Sequence, residues 1–273
     1  MTALFPRPPC LARAISPALA AAALAGLLAA AGASAQATGA TTVDLVGTAS
    51  SLSAGQPDGR ALNLRLTSLL GGDDVLRAEV LRERRFGATG GVVGAGFSKG
   101  LDARWFMGAN VTLGEGGPNW PRKRLDVSLG TKLGAQKEVI AQLAAYRALY
   151  DNQRSDQGAG LTLVSYAAAP LVLQVGAIFN TSNPGAVRSS MFSAAGSWGQ
   201  QGDLTYSLRV SAGSESYQAL GAGAQLVDFN SRSAALATRR WVGPQWGWSA
   251  QIEHYHNPSY ERLSLGVGLF SQW

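Results

Sequence analysis

The chain has 273 residues, of which 46% are apolar and 34 are glycine, and its 23 basic and 17 acidic residues give a formal net charge of +6. The basic excess is spread along the chain, whereas nucleic-acid binding favours a clustered basic stripe or helix. No apolar stretch after residue 35 approaches the roughly 20 residues that a membrane-spanning helix requires. The composition therefore argues against a nucleic-acid-binding protein and against a helical membrane protein.

The N-terminal residues have the pattern of a Sec-type signal peptide. Arg7 and Arg13 precede an apolar run at 18–31, and small residues suited to signal-peptidase cleavage follow it. We therefore predict a signal peptide at 1–35 and a single exported domain at 36–273.

Loss of this segment would also remove Cys10, the only cysteine. The remaining chain would then have no disulfide and no thiolate chemistry. Because Cys10 precedes the apolar run instead of following it, it is not placed for lipid attachment. Of the 23 basic residues 21 would remain against 17 acidic ones, which is only a mild positive excess.

From about residue 42 onward, the sequence consists of segments of about ten residues in which every second residue is apolar. The clearest are 103–113, 124–133 and 204–212, where charged residues occupy one parity only. This alternation is typical of transmembrane β-strands, which present one face to lipid and the other to the lumen. Since helices and closed barrels alone satisfy their backbone groups in lipid, we predict an all-β fold, an antiparallel transmembrane β-barrel in the outer membrane of a Gram-negative bacterium.

The alternation predicts fourteen strands, with twelve as the alternative. Residues 138–149 could also be written as a helix, but the length of the segment and its neighbours favour a strand. The predicted strands are 42–52, 60–69, 74–84, 89–98, 103–113, 124–134, 138–149, 158–167, 170–181, 189–199, 203–213, 231–240, 246–255 and 260–272.

The predicted connections fall into two length classes. Those after odd-numbered strands are long and include 114–123, 151–157, 182–188 and 214–230, whereas those after even-numbered strands are short. Bacterial barrels have short periplasmic turns and longer extracellular loops, so this pattern predicts which end faces the periplasm.

Aromatic residues at the ends of the predicted strands indicate belts at the two membrane interfaces. The belt at the periplasmic rim is predicted to contain Trp105, Trp198, Trp241, Trp246 and Trp273. Phe179, Phe192 and Tyr260 are predicted near the outer rim. The last strand ends in an aromatic residue, Trp273, as outer-membrane proteins commonly do, although phenylalanine is more usual there.

The C-terminal part resembles the end of the YaiO family of outer-membrane β-barrels. The resemblance lies in the run RWVGPQWGW at 240–248, in Glu-His-Tyr at 253–255, in Asn257 and Tyr260, and in LGVGL at 265–269. It implies an outer-membrane location and, through family members that accompany polysaccharide machinery, an association with surface polysaccharide. It implies no catalytic residues.

Charged residues on the inward parity form the main candidate site. Basic side chains are predicted to line the lumen and to face Glu79, Asp126 and Glu253. Two interpretations stay open: cross-strand ion pairs that fill the interior, or a pore for anions or sugars, since rings of basic side chains favour anions. The predicted lumen-lining basic residues are Arg65, Arg77, Arg104, Arg124, Lys132 and Arg209.

Histidines suggest a different class of function, an outer-membrane lipid hydrolase. His254 and His256 are the only histidines, and serine or aspartate can pair with histidine in such enzymes. Parity places His254 on the lipid side, away from its neighbour Glu253. We therefore predict a non-enzymatic envelope protein associated with surface polysaccharide export or with passage of small polar solutes, with a porin-like diffusion channel as the near alternative and a hydrolase as the distant one.

No cofactor or metal site is predicted, because two histidines without further ligands do not complete a zinc site. The glycines also lack the strand-loop-helix context of a nucleotide fingerprint. The predicted partners are outer-membrane lipid and lipopolysaccharide, the barrel-assembly machinery and polysaccharide, with no nucleic acid.

Overall fold

A computed structural model describes residues 40–71, 74–151, 153–168, 170–220 and 224–273, excluding the side chains of 167 and 168. The predicted signal peptide at 1–35 lies outside these residues. No helix in the described part is long and apolar enough to cross a membrane.

Fourteen antiparallel strands close into one barrel, in which each strand pairs with its neighbours in sequence and β1 pairs with β14. The predicted number of strands is therefore confirmed, including the segment at 138–149. The strands are β1 Thr41–Leu52, β2 Gly59–Gly71, β3 Asp74–Arg85, β4 Ala88–Gly100, β5 Trp105–Glu115, β6 Lys123–Leu133, β7 Val139–Leu149, β8 Ser155–Ala168, β9 Leu171–Asn183, β10 Val187–Gln200, β11 Leu204–Ala219, β12 Gln225–Trp241, β13 Trp246–His256 and β14 Glu261–Gln272.

The outer wall is apolar, as the alternation predicts. Leu143, Val267 and Leu269 are 62%, 70% and 60% exposed, which in water would be costly but in lipid is the expected environment. Along β5, exposed apolar residues alternate with partly covered small and polar ones. The described barrel is thus built inside out relative to a soluble protein.

The even number of strands places the two ends of the barrel segment on the same side. We call this side the terminal end and the opposite side the far end. The loops predicted at 151–157, 182–188 and 214–230 are shorter in the structure, because β8 begins at Ser155, β10 begins at Val187, and β11 and β12 extend to Ala219 and from Gln225. Above the lipid, strands need no apolar parity, and pairs such as Tyr217 with Val227 continue the ladder.

The aromatic belt at the terminal end is largely confirmed. Trp105, Trp198, Trp246 and Trp273 are between 41% and 51% exposed on the outer wall, and Trp198 stacks on Tyr206 with a centroid distance of 5.7 Å. At the far end, Phe179 and Phe192 form an exposed T-shaped pair.

Two aromatic predictions are wrong. Trp241 packs edge-on against buried Phe270 inside the barrel, with 4.9 Å between ring centroids. Tyr260 is only 3% exposed and belongs to an internal cluster. Both residues lie at strand ends, as predicted. The parity of β12 turns the Trp241 ring inward, and the geometry of the β13–β14 loop turns the Tyr260 ring inward.

Inward aromatic side chains lie over glycines of the paired strand. Phe106 is the register partner of Gly130, and a Cβ at Gly130 would come within 2.1 Å of the Phe106 ring. Tyr146 covers Gly158 and Phe270 covers Gly247 in the same way. The missing side chain is therefore what allows each ring to lie flat against the wall.

We expect Gly130→Ala to destabilise the barrel by about 1–3 kcal/mol, because the added methyl group overpacks the site under Phe106. The measurement is the temperature at which the folded form is lost on a semi-native gel. Gly47→Ala is the matched control, since nothing lies within 4 Å of a Cβ built there. Equal melting of both variants would contradict the packing role of Gly130.

Candidate functional site

The lumen is accessible to solvent in its central part. Arg65 faces inward, yet its side chain is 62% exposed. Arg77, Arg209 and Gln251 also occupy inward register positions and are exposed. Long polar side chains that stay exposed inside a closed wall indicate a water-filled space around them.

A basic niche lies on the β2 to β5 wall, where a cavity of about 230 Å³ is lined by Arg65, Arg77, Glu79, Asn110 and Thr112, among others. Glu79 accepts hydrogen bonds from Asn63 Nδ2 at 2.6 Å and from Arg65 Nε at 3.3 Å. The Glu79 carboxylate is therefore held by hydrogen bonds from neighbouring residues of the barrel wall.

Arg77 has no ion-pair partner among the described residues, and neither does Arg209 on β11. Both lie in the half of the lumen near the terminal end. They leave an uncompensated positive charge facing water.

The other predicted lumen-lining residues differ from one another in position. Arg124 is inward and forms a bidentate contact with Asp126 two residues away, at 2.6 to 3.0 Å. Lys132 occupies an inward position on β6. Arg104 lies in the exposed turn before β5, because this strand begins only at Trp105. The Arg104 backbone oxygen accepts a hydrogen bond from Lys132 N at 2.8 Å, and the position of its side chain in the lumen stays a prediction.

Several basic side chains inside the barrel near the far end are neutralised. Arg85 pairs with Glu83 at 2.9 Å and Arg262 with Glu253 at 2.6 Å. Arg154, 8% exposed in its side chain, lies over the Tyr150 ring at 3.6 Å. The parity rule would have found Arg85 and Arg262 on their strands, but Arg154 lies in a connection where parity has no meaning.

One luminal ion pair joins strands that are not neighbours. Arg239 on β12 reaches Asp44 on β1 and places its guanidinium 3.5 Å from the Phe270 ring centroid. The intervening register positions are Ser249 and Gly268. Their small side chains leave room for the arginine to cross, so the pair ties together the strands that close the barrel.

Aromatic and polar side chains narrow the far end. Phe86 from the β3–β4 turn meets Tyr260 edge-on at 5.4 Å, and Tyr255 lies 5.6 Å from Tyr260. Gln218 donates to the Tyr260 hydroxyl at 2.6 Å. Burial raises the pKa of Tyr260, and the hydrogen bond from Gln218 only partly offsets this. Tyr260 therefore remains protonated at neutral pH.

Asn257 connects this cluster to the β13–β14 loop through its hydrogen bonds. Its side-chain oxygen accepts the backbone N–H groups of Ser259 and Tyr260, at 2.8 and 2.9 Å, and its amide donates to Tyr255 and Gln218. Asn257 is 2% exposed. This single residue thus shapes the β13–β14 loop and holds it against the inside of the wall.

A second luminal cavity, of about 200 Å³, is rich in hydroxyl groups. Asn180 accepts from the Tyr146 hydroxyl at 2.9 Å and donates to Ser182 and Ser216. Ser216 in turn donates to Ser189 at 2.8 Å. These groups offer neutral hydrogen bonds to a polar solute.

The two histidines lie on the outer wall at the far end. His254 Nε2 is 3.7 Å and His256 Nδ1 is 3.1 Å from the Glu261 carboxylate. Within the described chain, no serine or threonine hydroxyl is hydrogen-bonded to either imidazole. The described residues also contain no group of three or more His, Cys, Asp or Glu side chains placed to hold a metal ion.

Solved structures with a similar fold include a hydrocarbon channel and an outer membrane protein. The CymD monoaromatic hydrocarbon channel matches with a TM-score of 0.58 at 6% identity, covering 86% of this chain and 88% of that one. A loop L8 deletion mutant of OmpT, an outer membrane protein of Vibrio cholerae, gives 0.51 at 9% identity, covering 86% and 99%. Pseudomonas putida OprB gives 0.50 at 8% identity, covering 86% and 94%. At these identities the likeness concerns the fold alone.

No curated protein matches the sequence. The profile of the YaiO membrane beta barrel domain matches residues 43–218, which covers β1 and most of the barrel up to Gln218 on β11. The matched region ends before 240–269, so the family is confirmed on the earlier strands and not on the C-terminal residues that suggested it. The chain therefore belongs to the YaiO membrane β-barrel domain family and is a protein of the outer membrane.

Proposed function

We propose that this barrel is a non-enzymatic channel through which small polar solutes, anions preferentially, cross the outer membrane. The observation that supports this proposal best is the exposure of unpaired Arg77 and Arg209 in the lumen. A plug of ion pairs would have neutralised and covered these guanidinium groups. Basic side chains that line a water-filled path favour anions over cations.

The balance of charge inside the barrel differs between its two ends. Near the far end, arginines are paired with acidic side chains and aromatic rings narrow the space. Towards the terminal end, positive charge is left uncompensated. A small anion that passes the narrow mouth would therefore meet an attractive potential further in, which suits passage of small solutes better than passage of a bulky polymer.

A role in surface polysaccharide export stays a prediction that rests on family membership. Sugar rings often stack on exposed aromatic faces, but here Arg124, Arg154 and Arg262 lie over the rings of tyrosines, at 4.1, 3.6 and 5.0 Å. One face of each of these rings is therefore taken, and nothing in the described lumen favours a polymer over a small solute.

A hydrolase lacks support at the histidines. Among the described residues, Glu261 is the acidic side chain that contacts them, and such catalysis requires a nucleophile within hydrogen-bond reach. The three side chains face outward, away from the luminal path.

Flux into proteoliposomes tests the proposal. Protein extracted from outer membranes should admit small sugar acids faster than neutral sugars of equal size, because of the luminal arginines, and His254→Ala with His256→Ala should leave both rates unchanged. Exclusion of every small solute by a folded barrel would overturn the proposal. Lipid hydrolysis that depends on either histidine would favour the enzyme instead.

A further inference from the structure

The outer wall carries far more positive charge at one end than at the other. On the strands, its outward basic side chains at the terminal end are Lys99 and Arg240, and Arg240 is paired with Asp203. Arg104 and Lys137 lie in exposed turns at this end. At the far end, seven described basic side chains occupy outward register positions: Arg60, Arg82, Arg84, Lys123, Arg147, Arg188 and Arg232.

Three of these form a tight group on β2 and β3. Arg60 and Arg84 are direct cross-strand partners, and Arg82 is the outward residue of β3 that immediately precedes Arg84 on the same face. Like charges directly opposite each other destabilise a sheet. Arg82 contacts Glu115 at 3.3 Å, but among the described residues neither Arg60 nor Arg84 has an ion-pair partner. The group therefore lacks the negative charge that would balance it.

The arginines lie at the edge of the lipid-facing band. Leu62, the next outward residue after Arg60, is 54% exposed and directly opposite Arg82, and Val93 on β4 is 43% exposed. Side chains at such a boundary extend their charged ends towards the headgroups. The three guanidinium groups are thus at headgroup depth rather than in the bulk solvent.

We propose that Arg60, Arg82 and Arg84 bind the phosphate groups of lipid A in the outer leaflet. Guanidinium groups bind phosphate through paired, charge-assisted hydrogen bonds, and a phosphate between Arg60 and Arg84 would relieve their mutual repulsion. The longest connections, 53–58 and 116–122, lie at the far end, and the longer loops of bacterial barrels are extracellular, which places the far end in the leaflet that contains lipopolysaccharide. This inference is independent of the channel, because the three side chains face away from the lumen.

Binding of purified lipid A to the detergent-extracted full-length protein tests the proposal. The probes are phosphorylated lipid A, lipid A with its phosphates removed, phosphatidylglycerol and inorganic phosphate. We expect phosphorylated lipid A to bind and to raise the unfolding temperature, the dephosphorylated form to bind at least about tenfold more weakly, and phosphatidylglycerol and inorganic phosphate to bind more weakly still.

Arg60→Gln with Arg84→Gln should weaken binding of phosphorylated lipid A by about tenfold or more, because two charge-assisted contacts are lost. Arg60→Lys with Arg84→Lys should retain part of it, since the charge stays but the paired geometry does not. Lys99→Gln, on the same wall at the terminal end, is the matched control and should bind as the wild type does.

Equal binding of the two lipid A forms by the wild type would overturn the proposal without any variant, even if the substitutions impair insertion. Unchanged binding by a folded Arg60→Gln/Arg84→Gln protein would also overturn it. Equal protection by inorganic phosphate would assign the group to a free anion, and equal binding of phosphatidylglycerol would assign it to anionic lipid in general. Channel conductance should not change in the glutamine variant, which separates this test from that of the proposed function.

Discussion

Replacing Arg77 and Arg209 together with glutamate should change the proposed anion preference of the lumen into a preference for cations. Both guanidinium groups are exposed inside the barrel and lack an ion-pair partner among the described residues. Even in water, a unit charge about 4 Å away changes the energy of an ion by about 1 kcal/mol, so the permeability ratio should change by about fivefold or more. The measurement is the reversal potential across a salt gradient in planar bilayers.

Two comparisons make this result specific. Arg77→Gln with Arg209→Gln should give an intermediate selectivity, because it removes charge without adding the opposite sign. Arg147→Glu, an outward residue on β7, should leave the selectivity unchanged. If the glutamate pair and Arg147→Glu gave the same reversal potential, the selectivity would not originate in the lumen.

Tyr260→Ala should both destabilise the barrel and widen its far end. The ring is 3% exposed and contacts Phe86 and Tyr255, so truncation leaves a cavity at a cost of about 3–5 kcal/mol. Since the ring also anchors the β13–β14 loop inside the wall, the single-channel conductance should rise. The unfolding temperature on semi-native gels and the conductance step report the two effects.

Tyr260→Phe separates packing from hydrogen bonding, because it retains the ring and loses only the bond from Gln218. This variant should conduct as the wild type does, with a smaller loss of stability. Phe192→Ala removes an outward ring that is 54% exposed at the far end and should not affect conductance. A Tyr260→Ala barrel with wild-type conductance would mean that this cluster does not limit the path.

The fold follows from the sequence because the lipid imposes a simple rule. Every second residue of a strand must be apolar where the strand faces lipid, so β5 and β6 could be predicted from their alternation alone. That rule ends where the lipid ends. β11 continues beyond Ser214 and pairs there with the first residues of β12. Residues in this extension, such as Glu215 and Gln218, pair through the backbone and show no alternation of apolar and polar side chains.

The candidate site was predictable only where it depends on neighbours in sequence. Arg124 and Asp126 share a face two residues apart, so their contact follows from parity. The contact between Arg239 and Asp44 spans 195 residues and crosses two other strands, which requires knowledge of how the barrel closes. The inward position of Tyr260 likewise depends on the loop geometry set by Asn257, which no periodicity encodes.

Ion selectivity of the wild-type protein tests the central claim most directly. Protein purified from outer membranes and shown to be folded is inserted into planar bilayers, and the reversal potential is recorded across a salt gradient. An open lumen with uncompensated arginines predicts stepwise conductance with a reversal potential of the sign for anion preference. Persistent silence from the folded barrel, or a preference for cations, would contradict it.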